Sequence, residues 1–177
     1  MIEYFVGVDI GLHGSIAVID YNMQVKSLID MPIIQVQKGK KKRNVYDVQE
    51  LKQRLSSYDD RCIFYIEKSH PFPKINSQAN WLLGYGFCLF DFGLFLKGLR
   101  YEIVSAKTWQ KEFFQGLGRS SSDTTKTLSY QVAARLFPKA ELTTKRGRVL
   151  DGRSDSLLLS EYGRRKYMGL GINEKEG

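Results

Sequence analysis

Four acidic residues of this chain occupy positions where a carboxylate is unusual. Asp9 and Glu67 each close a short apolar run of the kind that forms a buried strand. Asp151 and Asp155 lie four residues apart at the start of a predicted helix, so they are neighbours on one helical face. An ionised carboxylate beside a packed interior is costly unless a cation or strong hydrogen-bond donors compensate its charge. Each of the four acids is therefore a candidate metal ligand.

Carboxylate oxygens are hard ligands that suit Mg²⁺ or Mn²⁺ and not zinc or copper. Two such ions, about 3.5 to 4 Å apart, can activate a water and stabilise the leaving oxygen in phosphodiester hydrolysis. The net charge of +8 indicates an anionic partner, of which nucleic acid is the commonest. A basic protein that carries an acidic cluster is a nuclease candidate.

Three of the acids also have a purely structural interpretation. Asp9 suits an Asx-type turn, Glu67 a strand end at the surface, and Asp151 the first turn of a helix, where the macrodipole favours acids. The glycines after Asp9 also suit a phosphate cradle like that of sugar kinases and actin-like ATPases, but the chain is too short for the two lobes these proteins need. Asp155 is harder to explain structurally, because three leucines follow at 157–159 and the helix must pack there.

The length of 177 residues predicts one domain with a core large enough to fold without staples. The hydrophobic fraction of 42% and the aromatic fraction of 12% exclude a wholly disordered chain. Cys62 and Cys88 both lie in apolar runs, which predicts two buried thiols of a reducing compartment. No cluster of Cys and His residues suits a zinc site.

No membrane span and no targeting segment are predicted. The broadest apolar stretch, Trp81 to Leu99, carries Asp91, Lys97 and several glycines. The N-terminus leads straight into the first predicted strand, unlike a signal or transit peptide. We expect a soluble, cytoplasmic protein of a bacterium or a phage-infected cell; a mature organelle protein would have the same features.

Apolar periodicity predicts a mixed α/β chain. The predicted strands are 4–8, 15–19, 25–31, 61–67 and 101–104, of which the first three form a meander. The predicted helices are 44–58, 81–99, a short helix from 105, 124–137 and a last helix from 151. The 81–99 helix is apolar on most sides, which predicts burial on more than one side and, for part of it, a subunit interface.

Basic and polar residues between these elements are candidate DNA contacts, since Lys and Arg neutralise phosphates. The basic segment 38–43 has nothing apolar to bury, so it suits either a mobile, solvated loop or a phosphate-contacting arm. The candidate contacts are Lys40, Lys41, Lys42, Arg43, Lys68, Ser69, Phe72, Lys74, Lys107, Lys145, Arg146, Arg148 and Arg153.

Five short motifs occur in order between the first strand and about Tyr167. They are Gly7-Val8-Asp9-x-Gly-x-x-Gly, Ile66-Glu67-Lys68, Val104-Ser105-x-Lys107-x-Trp109, Ala133-Ala134-Arg135-Leu136-Phe137-Pro138 and Asp151-Gly152-Arg153-x-Asp155-x-Leu-Leu. Each motif alone is weak, but the five in register are specific. Together they resemble the RuvC-like Holliday-junction resolvases (crossover junction endodeoxyribonucleases), and most closely the phage and chloroplast-type branch.

The resemblance implies a ribonuclease H-like α/β fold, a mixed central sheet flanked by helices, over residues 1–168, with a flexible tail at 169–177. It implies a homodimer, joined through the 81–99 helix, that makes paired symmetric nicks in four-way junction DNA and leaves 5′-phosphate and 3′-hydroxyl ends. Two Mg²⁺ ions per active site, with Mn²⁺ as a substitute, are the implied cofactors. The 68–80 loop would face the junction centre, with Phe72 as a stacking group.

The metal-binding acids of the resembling family correspond to Asp9, Glu67 and Asp155. Asp151 lies four residues before Asp155, whereas bacterial relatives have two acids three apart. It is therefore a direct ligand, a group that supports the ligands, or a helix cap. Lys107 corresponds to a lysine that some viral relatives place near the scissile phosphate, where its charge would offset developing negative charge. An ordinary solvated lysine is the alternative.

Two other functions fit these features. The first is another nuclease of the same fold that acts on RNA or on an RNA/DNA hybrid, which a panel of substrates would distinguish. The second is a junction-binding protein without catalysis. The four acids argue against the second, since a carboxylate cluster beside phosphates would only weaken DNA binding.

Overall fold

The computed structural model describes residues 1–70, 76–117 and 123–170. In chain order the elements are β1 (Tyr4–Asp9), β2 (Ser15–Asp20), β3 (Val25–Asp30), β4 (Ile33–Lys38), β5 (Lys41–Tyr46), α1 (Val48–Ser56), β6 (Cys62–Glu67), α2 (Ser77–Leu96), β7 (Arg100–Val104), α3 (Ala106–Phe114), α4 (Thr125–Leu136) and α5 (Asp151–Met168). The mixed α/β prediction is confirmed.

Five strands form one mixed sheet in the order β3-β2-β1-β6-β7. The first three strands pair antiparallel, as the predicted meander requires, while β6 and β7 run parallel to β1. Because β1, β6 and β7 are parallel, their carboxyl ends meet at one edge of the sheet. This edge is where Asp9 and Glu67 lie.

The sheet is covered on both faces, and strand alternation decides which residues face which layer. Phe5 of β1 and Tyr65 of β6 belong to the core shared with α3, α4 and α5. Val6 and Phe64, one position away, belong to the core shared with α1 and α2. By the same alternation, Asp9 and Glu67 lie on the face that α5 covers.

Helix α5 lies directly on β1 because three glycines remove the side chains that would separate them. A Cβ at Gly7 would overlap the backbone of Ser156 and Ser160, and one at Gly163 would overlap the ring of Tyr65. A Cβ at Gly152 would overlap the backbone of the turn between β1 and β2. The close approach brings the first turns of α5 to the carboxylate edge of the sheet.

The basic segment 38–43 is not a loop, as predicted, but the tip of a β-hairpin. Strands β4 and β5 pair from Ile33 opposite Tyr46 to Lys38 opposite Lys41, and Gly39 in the turn has φ 62°. The charge of the segment hid the alternation of Ile34 and Val36 that precedes it. A two-stranded ladder satisfies its backbone without burying charged side chains, so a basic sequence can still form strands.

Two helices begin at different residues from those predicted, because of their caps. Asp47 accepts a hydrogen bond from the backbone N–H of Glu50 at 2.9 Å, so α1 begins at Val48 and not at Asn44. Asn76 accepts one from the N–H of Ala79 at 2.8 Å, so α2 begins four residues before Trp81.

The prediction that α2 is buried on more than one side is wrong for the single chain. Gly86, Phe90 and Leu94 are buried against the sheet and α1. On the outer side, the exposed fractions are 62% for Trp81, 58% for Phe92, 69% for Phe95 and 66% for Leu96. The helix thus leaves an apolar face without a partner among the described residues.

The prediction that no apolar segment is long enough to span a membrane is also wrong. By length and composition alone, α2 is a 20-residue helix apolar enough to cross a membrane. Its inner side packs on the protein, and Asp91 accepts a hydrogen bond from the Tyr101 hydroxyl of β7 at 2.8 Å.

The two cysteines are free thiols with different environments. Cys62 on β6 is buried as predicted, whereas Cys88 is exposed on α2, contrary to the prediction.

Helix α5 ends at Gly169, whose φ of 66° is the left-handed conformation of a helix terminus. Most of the predicted tail, residues 171–177, lies outside the described residues.

Candidate functional site

Asp9 and Glu67 are brought together by the register of two neighbouring parallel strands. Val8 lies opposite Ile66 in the pairing of β1 with β6, so the next residue of each strand is the acid. Each strand ends at its acid, β1 at Asp9 and β6 at Glu67. The register therefore places the two acids side by side at one edge of the sheet.

The start of α5 is held beside the same edge by hydrogen bonds to β2. The Ser15 hydroxyl donates to the Gly152 carbonyl at 2.9 Å, and Ser15 Oγ lies 2.5 Å from Ser156 Oγ. Ser15 is also the register partner of Asp9 in the β1–β2 pair. These contacts fix Asp155, which precedes Ser156, next to the end of β1.

Mutual repulsion and burial strongly perturb the carboxylates. Burial raises the pKa of Asp9 well above its usual value, and the charges of Asp155, Glu67 and Asp151 raise it further. Burial, with added repulsion from Glu67 and Asp151, raises the pKa of Asp155 to about 7. Burial also raises the pKa of Glu67, whereas the hydrogen bond from the indole N–H of Trp109 lowers it. Taken as whole residues, Asp9 and Asp155 are partly exposed.

The donor set fits a hard divalent cation. Asp155 Oδ1 is buried without a hydrogen-bond partner among the described residues, and the Ser129 hydroxyl near it lowers its pKa without forming a bond of ordinary geometry. Carboxylate charge that is neither paired nor hydrogen-bonded is what a bound cation would compensate. Within the described ranges, however, no three His, Cys, Asp or Glu side chains already converge on one metal position.

Lys126, which sequence reasoning missed, is the cation of the site. Its Nζ lies 2.6 Å from Asp151 Oδ2, and its charge lowers the pKa of both Asp9 and Asp155. It belongs to the first turn of α4, after the Thr124 cap. Nothing in the local sequence distinguishes it from other lysines, because its role depends on how α4 packs against α5.

Asp151 is the first residue of α5, and its side chain pairs with Lys126. The cap position is Leu150, which provides no side-chain hydrogen bond. An acid in the first turn is favoured by the helix macrodipole. Whether Asp151 also binds a metal directly remains a prediction.

Lys107 lies exposed on the first turn of α3. Within the described residues, no hydrogen bond or ion pair joins it to the four acids. Its role near a scissile phosphate remains a prediction.

The predicted DNA contacts fall on three surfaces. Four of them, Lys40, Lys41, Lys42 and Arg43, lie on the β4–β5 hairpin. Lys68 and Ser69 directly follow β6, beside Glu67. Lys145, Arg146 and Arg148 lie exposed in the connection from α4 to α5, where Thr144 N–H donates to the Arg148 carbonyl at 2.8 Å. Phe72 and Lys74 lie outside the described residues.

Arg148 borders a cavity of about 550 Å³ that is also lined by Asp151, one of the four acids. Its other lining residues include His13, Lys126 and Arg153. Arg153 is less free than predicted, because its guanidinium donates to both carboxylate oxygens of Asp30, at 2.7 and 3.1 Å, and to the Glu141 carbonyl. Its contacts tie α5 to β3, and its contact with DNA remains a prediction.

No known family model matches this sequence, and no curated protein matches it. The structure is similar to that of Thermus thermophilus RuvC in complex with a Holliday junction substrate, with a TM-score of 0.54 and 9% sequence identity, over 96% of this chain and 98% of that chain. A second Thermus thermophilus RuvC structure gives a TM-score of 0.52 and 13% identity, over 94% of this chain and 97% of that chain. At these identities the likeness establishes the RuvC-like, ribonuclease H-like fold. Placement in the phage and chloroplast-type branch remains a prediction.

Proposed function

We propose that this protein is a divalent-metal-dependent endonuclease that resolves four-way DNA junctions. The observation that carries the proposal is that Asp9, Glu67 and Asp155, from β1, β6 and α5, lie close enough to interact: burial raises the pKa of all three, and repulsion from neighbouring acids raises those of Asp9 and Asp155 further. A folded protein keeps such a destabilising cluster when a cation relieves it. The fold shared with a RuvC bound to a Holliday junction supports the choice of substrate.

In this proposal Asp9, Glu67 and Asp155 hold Mg²⁺, with Mn²⁺ as a substitute, and Asp151 lies next to them. When bound, a pair of such ions lowers the pKa of an attacking water and offsets charge on the leaving oxygen. Breaking the bond between phosphorus and the 3′ oxygen would leave 5′-phosphate and 3′-hydroxyl ends. Lys126, with 72% of its side chain exposed, reaches from the acid cluster toward the phosphate backbone, and its charge favours the ionised forms of Asp9 and Asp155.

DNA binding is assigned to cationic groups around this cluster. Arg148 borders the cavity that Asp151 and Lys126 line, and no ion pair within the described residues occupies its guanidinium. The β4–β5 hairpin carries further lysines at its exposed tip. Such contacts position a duplex arm through its phosphates without reading its sequence.

A homodimer places two such sites on one junction. The exposed apolar face of α2, formed by Trp81, Phe92, Phe95 and Leu96, is the surface assigned to this contact. Large exposed apolar patches mark interaction sites, because leaving them in water is costly.

The test uses end-labelled synthetic four-way junctions beside a linear duplex and an RNA/DNA hybrid, each with Mg²⁺ or with EDTA. We expect symmetric Mg²⁺-dependent nicks on the junction alone, which Asp155→Asn abolishes while junction binding persists. Cutting of the hybrid instead would assign the same acids to an RNA-directed nuclease. Tight junction binding without cutting would identify an architectural binder.

A further inference from the structure

Glu67 is held by a side chain that no other part of the proposed site uses. The indole N–H of Trp109 donates to Glu67 Oε2 at 2.9 Å. Trp109 has no exposed surface, and its ring packs edge-on against Phe114 at a centroid distance of 5.9 Å. The donor therefore cannot rotate away or be replaced by water.

The sheet register explains why a tryptophan at this position reaches Glu67. Glu67 lies opposite Val104 in the β6–β7 pair, and Ser105 immediately caps α3 by accepting from the N–H of Thr108 at 3.2 Å. Trp109, the residue after Thr108, is on the inner side of the first turns of α3, beneath the end of β6. Strand register and helix cap together fix the indole against the carboxylate.

The hydrogen bond engages only one carboxylate oxygen. No described residue donates a hydrogen bond to Glu67 Oε1, so this oxygen keeps its full capacity as an acceptor. An indole N–H can only donate, so its hydrogen bond requires an acceptor oxygen and is strongest with the ionised carboxylate of Glu67. Side chains that orient a metal ligand in this way change metal affinity when they are removed.

We propose that Trp109 is a positioning residue that fixes Glu67 through Oε2 and leaves Oε1 for a divalent cation. The inference rests on the proposed function in taking Glu67 as a metal ligand. It adds that the affinity for the cation is set in part by a buried indole that never contacts the ion.

The hydrogen bond itself is tested without metal or DNA. The chain has two tryptophans, so the indole region of a ¹⁵N–¹H NMR spectrum contains two signals. We expect Glu67→Gln to move the Trp109 signal and to leave that of the exposed Trp81 in place. An unmoved Trp109 signal would overturn the proposal.

The functional role is tested by replacing Trp109 with 3-benzothienylalanine, which keeps the shape of the indole but has sulfur in place of the N–H. Mn²⁺ binding to the full chain is measured by titration calorimetry without DNA, and Mg²⁺-dependent junction cleavage is measured alongside. We expect the Mn²⁺ dissociation constant to rise about 10-fold or more, while junction binding in EDTA and the melting temperature stay near those of the parent. Trp109→Phe, which also lacks the N–H, is expected to weaken Mn²⁺ binding similarly.

Phe113→Leu is the matched control, because Phe113 is buried on the same helix and contacts Arg165 and not Glu67. It should lower the melting temperature without changing Mn²⁺ affinity. An unchanged Mn²⁺ affinity in the benzothienyl variant would overturn the role of Trp109. If the parent protein binds Mn²⁺ more tightly than the benzothienyl variant but cuts no junction, the role of Trp109 holds and the proposed substrate is wrong. A parent that binds no Mn²⁺ would overturn both.

Discussion

At the residue scale, the site is a set of acids that the fold brings together against their own repulsion. Asp155 shows this most clearly, with a pKa raised to about 7 by burial and by Glu67 and Asp151. The folded protein binds this proton more tightly than the unfolded chain does. In the absence of metal, the contribution of Asp155 to the free energy of unfolding should therefore fall as the pH rises from about 4 to about 7 and then level off.

Asp155→Asn removes the ionisation and should make the metal-free protein more stable at pH 8. The gain is roughly 1 to 4 kcal/mol, since moving an aspartate pKa from about 4 to about 7 corresponds to the upper figure. Urea unfolding in EDTA at pH 5 and pH 8 measures it. Asp59→Asn is the control, because its hydrogen bond with Arg61 lowers the pKa of Asp59, so this variant should not be stabilised. Equal stability of Asp155→Asn and the parent at pH 8 would contradict the account.

Replacing Lys126 tests whether Lys126 or Lys107 is the lysine that acts at the site. Lys126→Ala removes the charge that lowers the pKa of Asp9 and Asp155, and we expect single-turnover junction cleavage to fall at least about 10-fold. Lys126→Arg should retain most of the activity. Lys111→Ala, at an exposed lysine of α3, should have no effect. Full activity of Lys126→Ala would leave Lys107 as the lysine to test.

The acids stand out in the sequence, whereas the side chains that contact them do not, for one physical reason. Asp9 and Glu67 interrupt apolar runs, so each is visible in a short window of sequence. Lys126 and Trp109 act only through the packing of α4 and α3 against other elements. Nothing in their local sequence indicates which carboxylate each one reaches.

At the element scale, the approach of α5 to β1 decides whether the acids meet. That approach depends on Gly7, where a Cβ would overlap the backbone of Ser156 and Ser160. The predicted order of strands and helices was correct where apolar periodicity was strong. It failed at 33–46, where charged residues form a hairpin that buries little, and at helix starts that Asp47 and Asn76 fix.

Gly7→Ala should therefore separate α5 from the sheet. Because the obstacle is backbone and not a flexible side chain, we expect a loss of about 2 kcal/mol or more in the free energy of unfolding, and weaker Mn²⁺ binding. Gly84→Ala is the matched control, since Gly84 is exposed on α2 with nothing within 4 Å of the new Cβ. It should stabilise the protein by about 0.5 to 1 kcal/mol. Similar unfolding curves for the two variants would contradict this role of Gly7.

At the scale of the whole molecule, the sheet carries the acids on one edge, and α2 presents an apolar face on its outer side. The apolar sequence of this helix predicts burial on more than one side and, for part of it, a subunit interface. The single chain leaves the face uncovered, and the proposed second copy of the chain would cover it.

Phe95→Glu places a charge on that face and should convert a dimer to a monomer. Sedimentation equilibrium at micromolar concentration measures the change. Ile34→Glu, at an exposed apolar residue of the β4–β5 hairpin, should leave the dimer intact. A parent protein that is monomeric at this concentration would rule out the dimer.

The central claim, that two coupled metal-dependent sites resolve a junction, is tested most directly on a supercoiled plasmid with an extruded cruciform. Paired nicks made during one binding event convert the plasmid to a linear product, whereas a single nick relaxes it, reabsorbs the cruciform and leaves an open circle. The account predicts Mg²⁺-dependent linear product from the parent and none from Asp155→Asn. Open circles alone, or no cutting of the cruciform, would contradict it.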